Sequence, residues 1–580
     1  MAPARGNRGL IVADSRRLTG PSLLLDRPGA ILEVRLDDAV RDRAVAAWRA
    51  AARRLLDAVG WPNEVLATRT FAGGVSLALT APVDALYAAT EVNEAAWAAA
   101  AAALEGRAAP DHAITVEQLA RTIAAERHPA LLALHDAARA HHVSFLSGEE
   151  LVSVGTGGGA AVWPISAVPA PGAVDWDRVH DVPIALVTGS NGKTTVVRML
   201  AAILEEAGRA AGMTSTDGVI VRGRPIAEGD YSGPSGARLL LRSPDVEVAV
   251  LETARGGMLR RGLPVERADV AVVTNVADDH LGEFGIQDVD ALAEVKLLVA
   301  RVIGPGGAVV LNLDDPLLLR HARDVRPPIV WFSLDAARPE LASHAAANGR
   351  AAICDEGQLV LTEGSTRTPV VGVDEVPAAS GGAARHNVAN ALAALGAASV
   401  LGVRPEVVAR ALRRFGGTAT DNAGRANLFE LGGVRVIVDY AHNPHGMAAL
   451  AEMVKGLPAG RRLVLLGQAG DRPDDAIRAL AGAALALRPD RVLLKDMERY
   501  SRGRGPGEVP ALMADELARL GVPAESVSRP GTELESVVEA LAWARPGDLL
   551  VLTIHQDRPL VLELIERLRR RGWRAGERVV

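Results

Sequence analysis

Residues 187–200, VTGSNGKTTVVRML, combine two glycines, a lysine and three threonines, and a helical pattern begins within them. A β-branched run, IALV, precedes them, so the order is strand, glycine turn, helix. Backbone N–H groups and the helix dipole at such a turn attract an anion, and Lys193 and Thr194 can serve phosphate and Mg²⁺. We predict a phosphate site formed by Gly189, Ser190, Asn191, Gly192, Lys193, Thr194 and Thr195.

The alternative is an ordinary strand-to-helix turn. The motif G-x-x-x-x-G-K-[ST] places a glycine five residues before its second glycine, and Val187 stands there instead. A shorter turn still brings consecutive N–H groups together, and the context favours the phosphate site.

Two further acidic residues follow apolar strand patterns. Glu252 ends EVAVLE and Asp439 ends VRVIVD, and parallel sheets place their chemistry at the carboxyl ends of strands. Thr194 and Glu252 offer hard oxygen ligands for Mg²⁺. Asp439 could instead cap a helix. His280 follows the next strand pattern and, from its chemistry alone, caps a turn.

Lysine is rare. The chain has 64 lysines and arginines, of which only four are lysines: Lys193, Lys296, Lys455 and Lys495. Lysine has a compact charge and an amine that can lose its proton, whereas the charge of arginine is spread over a planar group that stays protonated. We therefore expect lysine to be retained where a guanidinium cannot replace it.

The short loop G-S-N-G-K-T-T resembles the ATP loop of the Mur ligase family. LETARGG, VTNVADDHLG, RHNVANALAA, AGRANLFE, VDYAHNPHGM and GQAGDRPDDAI resemble the family's other motifs, in order, over some 380 residues. The resemblance implies ATP and Mg²⁺ as cofactors. It also implies that Lys193, Glu252, His280, Lys296 and Arg425 are catalytic.

The resemblance assigns finer roles. It implies metal ligands at Thr194, Glu252 and His280. A lysine at the place of Lys296 is carbamylated in many Mur ligases, and the alternative is a surface lysine on an amphipathic helix. Asn387 and Asp439 would bind adenine and ribose, and Arg425 would bind the triphosphate.

Five residues are candidates for substrate binding, and each has a structural alternative. Arg255 and Arg472 could bind carboxylates or form surface ion pairs. His442 and Asn443 could organise the closed site or form a routine Asn-Pro turn. Ser232 lies in the possible substrate loop SGPSG.

Within the family the C-terminal half most resembles that of the cyanophycin synthetases, and the N-terminal stretch RRLTGPSLLLDRPGAILEVRLD resembles theirs more loosely. Their ATP-grasp domain has no counterpart between the two regions. The expected function is an ATP-dependent carboxylate–amine ligase that adds an amino acid, for example arginine, to an aspartate side chain of a peptide or cyanophycin-like polymer. Alternatives are the same chemistry on a modified ribosomal peptide, a glutamyl chain or a dipeptide, and a non-catalytic ATP-binding partner of a separate ATP-grasp ligase.

The predicted fold class is α/β with three domains. We expect an N-terminal α+β domain over 1–163, a Pro/Gly linker over 164–180, a central Mur ligase ATP-binding domain over 181–417, and a C-terminal Rossmann-like domain over 418–580. The run GTGGG at 155–159 is interpreted as linker.

The composition limits the kinds of partner that we expect this chain to bind. The net charge of −6 gives no general attraction to nucleic acid or anionic membrane, and the single cysteine, Cys354, allows no internal disulfide. No apolar run reaches the length of a membrane helix, about 20 residues. We expect a cytoplasmic homo-oligomer.

Overall fold

The structure is a computed structural model that describes residues 10–278, 281–416, 418 and 421–579. This part of the chain divides into two compact units. The first contains the chain up to Trp331 together with Gly396–Val403. The second contains Phe332–Leu395 and the chain from Arg404 onward.

The first unit begins with a four-stranded antiparallel sheet in the order β1-β2-β4-β3. Its strands are β1 (Ile11–Leu18), β2 (Gly29–Arg35), β3 (Leu66–Phe71) and β4 (Gly74–Thr80). The alanine-rich helices α1 (Arg41–Ala58) and α2 (Leu86–Leu104) pack on one face of this sheet. The indole of Trp48 joins them by donating to Asn93 Oδ1 at 2.9 Å. The predicted α+β character of this region is confirmed.

Two helices and a small antiparallel sheet come next. They are α3 (His112–Glu126), α4 (Pro129–Ala140), β5 (Phe145–Ser147), β6 (Leu151–Val154) and β7 (Ala161–Pro164). The interpretation of 155–159 as linker is wrong. Gly157, in the left-handed region at φ 57°, lies so close to Val246 and Val182 that a Cβ would overlap them, and Gly158 N donates to Val246 O at 2.8 Å. The glycines allow this close backbone approach.

The centre of the first unit is a largely parallel sheet. Its strands are β8 (Ile184–Thr188), β9 (Ala211–Ser215), β10 (Gly218–Val221), β11 (Arg224–Glu228), β12 (Val248–Glu252), β13 (Ala268–Val273) and β14 (Ile303–Asn312). They lie in the order β11-β10-β9-β12-β8-β13-β14, and the pairs from β9 to β14 are parallel. Accompanying helices are α5 (Lys193–Glu206), α6 (Pro234–Leu241), α7 (Arg255–Arg261), α8 (Val289–Leu297) and α9 (Pro316–His321). The carboxyl ends of β8, β12 and β13 therefore meet at one edge, where ligands bind in open α/β sheets.

β15 (Ile329–Ser333) lies in the chain where the first unit gives way to the second. Next come α10 (Pro339–Ala346), β16 (Arg350–Asp355), β17 (Gln358–Glu363), β18 (Thr366–Gly372), α11 (Arg385–Val400) and α12 (Pro405–Arg414). β16, β17 and β18 pair antiparallel.

The second unit ends in a six-stranded sheet in the order β19-β20-β24-β21-β22-β23. Its strands are β19 (Asn427–Leu431), β20 (Val434–Asp439), β21 (Arg462–Leu466), β22 (Arg491–Lys495), β23 (Val527–Gly531) and β24 (Leu549–Thr553). The helices are α13 (Pro444–Lys455), α14 (Asp474–Ala483), α15 (Glu508–Arg519), α16 (Glu533–Trp543) and α17 (Arg558–Arg570). All pairs except β19–β20 are parallel, and two apolar layers cover the sheet. The predicted α/β class, with its Rossmann-like C-terminal part, is confirmed; the exact domain boundaries stay a prediction.

Candidate active site

The predicted phosphate loop connects β8 to α5. Gly189 has φ 147° and Gly192 has φ 85°, values that favour glycine. A Cβ on Gly189 would overlap Thr274 Oγ1. The same hydroxyl donates to Asn191 O at 2.5 Å, and Ser190 Oγ donates to Ala277 O at 2.9 Å. These contacts thus hold the loop on the end of β13.

Lys193 is the first residue of α5, and its ammonium folds back over the loop. Nζ donates to Gly189 O at 3.1 Å and to Ser190 O at 3.2 Å. These carbonyl contacts keep a positive charge beside the turn where an anion would bind. Thr194 and Thr195, next on the helix, are buried.

Glu252 meets Thr194 at the carboxyl edge of the sheet. β12 lies beside β8 in parallel register, with Glu252 opposite Val187. Thr194 Oγ1 donates to Glu252 Oε2 at 2.8 Å, and the two residues are only 4% and 2% exposed. A buried carboxylate and a hydroxyl in contact beside a phosphate loop are oxygen donors of the kind that Mg²⁺ prefers. This pair therefore fits the predicted metal.

The other predicted metal ligand, His280, lies outside the described residues. Among the residues that are described, no group of three His, Cys, Asp or Glu side chains could hold a metal ion. Lys296 lies on α8 and is 3% exposed, so the alternative of a surface lysine is wrong. Its carbamylation stays a prediction.

Two substrate candidates of the first unit have defined contacts. Arg255 begins α7, is buried, and donates to Glu283 Oε2 at 3.0 Å and to Glu283 O at 3.2 Å. Ser232 Oγ donates to Asp230 Oδ1 at 2.6 Å, and Ser232 O accepts from Ala254 N at 2.9 Å. The loop that contains Ser232 is therefore fastened to the start of α7, two residues after Glu252. Substrate binding by either residue stays a prediction.

In the second unit, Asp439 organises the carboxyl end of β20. Its Oδ2 accepts from Ala426 N and its Oδ1 accepts from Ala441 N, both at 2.7 Å. It thereby fixes the turn that follows Arg425, whose guanidinium carbon lies 4.1 Å from the ring centroid of Tyr440. The structure therefore brings Asp439 and Arg425 together. The helix-cap alternative for Asp439 is wrong, since Asn443 caps α13 by accepting from Gly446 N at 2.8 Å.

His442 and Arg472 belong to neighbouring loops of the same edge. The His442 ring lies 5.4 Å from that of Tyr440, and the backbone O of His442 accepts from Gln468 Nε2 at 2.7 Å. Arg472 is half-buried, and its backbone O accepts from Arg504 at 2.9 Å. The loops after β20 and β21 are thus tied to each other.

Asn387 lies at the start of α11. It donates to Ala378 O at 2.9 Å and accepts from Asn390 at 3.2 Å. Its neighbour His386 was not singled out from the sequence. Burial lowers the pKa of His386, while the negative charge of Asp439 opposes that shift. Asp439 is therefore close enough to the start of α11 to act on it electrostatically.

The sequence reasoning also missed a buried network at the ends of β22 and β24. The Lys495 ammonium contacts Glu533 Oε1 and Thr553 O and lies 3.1 Å from His555 Nδ1. Glu533 also accepts from three backbone groups, His555 N, Gln556 N and Asp557 N, at 2.7–3.0 Å. The rarity of lysine was the available signal, but nothing local in the sequence names its partners.

His555 is neutral in this network. Burial, followed by the positive charge of Lys495, lowers the pKa of His555 well below its ordinary value. Because the ammonium lies at Nδ1, the neutral ring carries its proton on Nε2. The His555 ring stands edge to face with Tyr440 at 4.9 Å, so the network supports the loop that begins at Asp439.

Family models match most of these two regions. The Mur ligase middle domain matches residues 187–398, and the Mur ligase, glutamate ligase domain matches residues 424–553. The UDP-N-acetylmuramate–L-alanine ligase of Xylella fastidiosa (strain 9a5c) is 30% identical over 373 residues, 63% of this chain and 70% of that protein. The chain belongs to the Mur ligase family.

Other relatives of this Mur ligase carry a different name. The cyanophycin synthetase of Synechocystis sp. (strain ATCC 27184 / PCC 6803 / Kazusa) is 42% identical over 332 residues, 57% of this chain. That match spans only 38% of the Synechocystis protein. Among solved structures, E. coli FolC in complex with ADP aligns at 21% identity and a TM-score of 0.48, covering 67% of this chain and 90% of FolC.

No helix in the described ranges of this Mur ligase is both long and apolar enough to cross a membrane.

Proposed function

We propose that this Mur ligase uses ATP and Mg²⁺ to join an amino acid to a carboxylate. The observation that carries the proposal is the Thr194–Glu252 contact of 2.8 Å, buried beside a preformed phosphate loop. The loop supplies N–H groups and an ammonium for a polyanion, and the pair supplies oxygen ligands for a divalent cation.

The reaction has two steps. A carboxylate oxygen of the acceptor attacks the γ-phosphorus of ATP, and the bond between that phosphorus and the bridging oxygen breaks. ADP departs, and the acceptor is now an acyl phosphate. The amine of the incoming amino acid then attacks the acyl carbon, phosphate leaves with the C–O electron pair, and the nitrogen gives up a proton. Phosphoryl transfer of this kind depends on positioning and on neutralisation of charge.

The residues of this chain meet those needs as follows. The backbone from Ser190 to Lys193 orients the phosphates, and the Lys193 ammonium neutralises negative charge that builds up on them. Thr194 and Glu252 would hold Mg²⁺, which when bound supplies further positive charge to the phosphate oxygens. Because Glu252 is nearly inaccessible to water, its charge acts at short range with little screening.

For the substrates we propose the aspartate side chains of a peptide or cyanophycin-like polymer as acceptors and arginine as the donor. The 42% identity to a protein named cyanophycin synthetase supports this choice over a muramyl substrate, where the identity is 30%. The chain matches about two fifths of the length of these cyanophycin synthetases.

The test is turnover by the full chain with ATP, Mg²⁺, aspartate-containing peptides and a panel of amino acids. We expect phosphate release coupled to a peptide mass gain of one amino acid. Glu252→Gln should abolish both, while the matched Glu228→Gln, at an exposed carboxylate on β11, should change neither. Absence of phosphate release and mass gain across the panel would refute the proposal.

A further inference from the structure

A cavity of about 1650 Å³ lies in the first unit, away from the phosphate loop. Its walls come from β1, the start of α2, the segment from α4 to β6, and the helices α6 and α7. Six arginines line it, and we call it the arginine cavity: Arg17, Arg139, Arg238, Arg242, Arg261 and Arg267.

Three of these arginines have neutral partners only. Arg238 donates to Thr19 Oγ1 at 2.7 Å, and Arg261 donates to the backbone O of Arg17 at 3.3 Å. Arg242 donates to the backbone oxygens of Leu146 and Leu151 and to a serine hydroxyl, at 2.8–3.2 Å. In the described ranges, no carboxylate lies within 4.0 Å of any of the three guanidinium groups. Their guanidinium groups are therefore held in place without a carboxylate in direct contact.

The arginines also act on one another. The pKa of Arg238 is lowered to about 10, first by burial and then by the positive charges of Arg242, Arg17 and Arg261. Burial likewise lowers the pKa of Arg242 and of Arg261. At Arg261 the positive charge of Arg17 adds to the effect, while Tyr87 and Asp14 oppose it. A protein gains nothing in stability from placing like charges together in a partly buried site. Perturbed groups of this kind in a cleft mark a candidate binding site.

Carboxylates also line the cavity, but most of them already have partners. Asp84 accepts from His128 N, and Glu126 accepts from the first backbone N–H groups of α2. Glu149 pairs with Arg17 at 2.9 Å and accepts from the hydroxyl of Tyr87. Glu150 and Glu266 are exposed. Glu149 is near enough for the charge of Arg261 to act on it, but none of the five forms an ion pair with Arg238, Arg242 or Arg261.

The size and the walls indicate what kind of anion would bind. Pockets for drug-sized molecules measure about 300–1,000 Å³, so this cavity can hold several linked residues. Exposed apolar side chains, among them Tyr87, Ile226 and Leu239, lie beside the arginines. An inorganic ion would leave those side chains without contacts, whereas a peptide would cover them.

We propose that the arginine cavity binds an acidic peptide segment, whose carboxylates pair with Arg238, Arg242 and Arg261 while its backbone and methylene groups cover the apolar walls. The cavity contains none of the residues of the phosphate loop. Because an aspartate peptide is also the acceptor in the proposed function, the inference deepens that function, and binding measured without ATP tests it apart from turnover.

The test is fluorescence anisotropy of a labelled hexa-aspartate peptide with the full chain, without ATP. We expect saturable binding that weakens at least tenfold in Arg238→Gln and in Arg261→Gln. Binding should also weaken steeply as salt rises, because exposed charges are screened within about 10 Å at 0.1 M salt. Arg326→Gln is the matched control, since Arg326 is an exposed arginine of the same unit outside the cavity.

Two further measurements keep the result decisive. ADP binding, measured calorimetrically, must be unchanged in each variant, and Arg261→Gln removes an exposed group even if Arg238→Gln proves unstable. A hexa-asparagine peptide should not bind, and tripolyphosphate should compete only weakly. Equal binding by hexa-asparagine, displacement by tripolyphosphate at the peptide's own concentration, or an equal loss in Arg326→Gln would each overturn the proposal, whatever the turnover assay shows.

Discussion

Replacement of Lys495 by methionine should destabilise the second unit by about 3 kcal/mol. Both members of the Lys495–Glu533 pair have fully buried side chains, and breaking a buried ion pair costs about 3–5 kcal/mol because one charge is left uncompensated. We expect the lower value for Lys495→Met, since Glu533 keeps its three backbone N–H donors.

Glu533→Gln should cost more, about 4–5 kcal/mol. The ammonium would keep only Thr553 O and His555 Nδ1 as full acceptors. The new amide NH₂ also cannot accept from the backbone groups that Glu533 now holds. The double variant Lys495→Met/Glu533→Gln leaves no buried charge, and we expect its cost to be no greater than that of Glu533→Gln alone.

The assay is native-state hydrogen exchange of the full chain, read on peptides that cover β22 and β24, because it reports the opening free energy of that sheet. The coupling free energy from the double-mutant cycle should be at least about 3 kcal/mol, the upper end of the range for residues in contact. Additive costs, within about 0.5 kcal/mol, would refute the reasoning. So would a Lys495→Met protein whose β22 and β24 exchange like the wild type.

Four other perturbations test the site. Thr194→Val keeps the side-chain shape but loses the hydroxyl, so the Mg²⁺ concentration for half-maximal turnover should rise about 10–100-fold. Thr194→Ser, which keeps the hydroxyl, should stay near wild type. Equal Mg²⁺ titrations of Thr194→Val and the wild type would contradict this prediction. Gly189→Ala combines a disfavoured φ with overlap on Thr274, so calorimetry should detect no ADP binding, and wild-type affinity would count against a preformed loop. The pKa of His555 is lower in the folded chain than in the unfolded chain, so below about pH 6.5 the unfolded chain binds a proton that the folded chain does not. The free energy of unfolding should therefore fall by up to about 1.4 kcal/mol for each pH unit of acidification. Urea unfolding of His555→Gln should show a shallower dependence of stability on pH. Lys296→Arg should lose turnover and any response to bicarbonate, and an active Lys296→Arg enzyme would exclude carbamylation.

Sequence predicted those parts of the site in which the recognisable pattern and the functional residues lie in the same strand and the loop after it. Glu252 and Asp439 each end an apolar run, and both lie at the carboxyl edge of a parallel sheet, as the strand rule requires. The phosphate loop was predicted for the same reason, since its strand, turn and helix are consecutive.

The parts that sequence could not predict are assembled across long separations. Glu533 follows Lys495 by 38 residues, and Arg238 follows Thr19 by 219 residues. No spacing rule connects such positions, because the sheet order and not the chain order makes them neighbours. The prediction for the glycine run at 155–159 failed for a related reason. A glycine-rich composition is typical of linkers, but here the glycines allow contact with Val246, about 90 residues away.

The four lysines show how composition and packing agree. Lys455 is exposed and pairs with Glu452 on the helix surface, where arginine would serve equally well. Lys193, Lys296 and Lys495 are different, because their ammonium groups lie over the phosphate loop or in the interior. At Lys495 the constraint is steric as well as electrostatic, since a Cβ on Gly467 would come within 2.6 Å of the lysine Cε. Lysine is thus retained where a compact charge lies in closely packed surroundings.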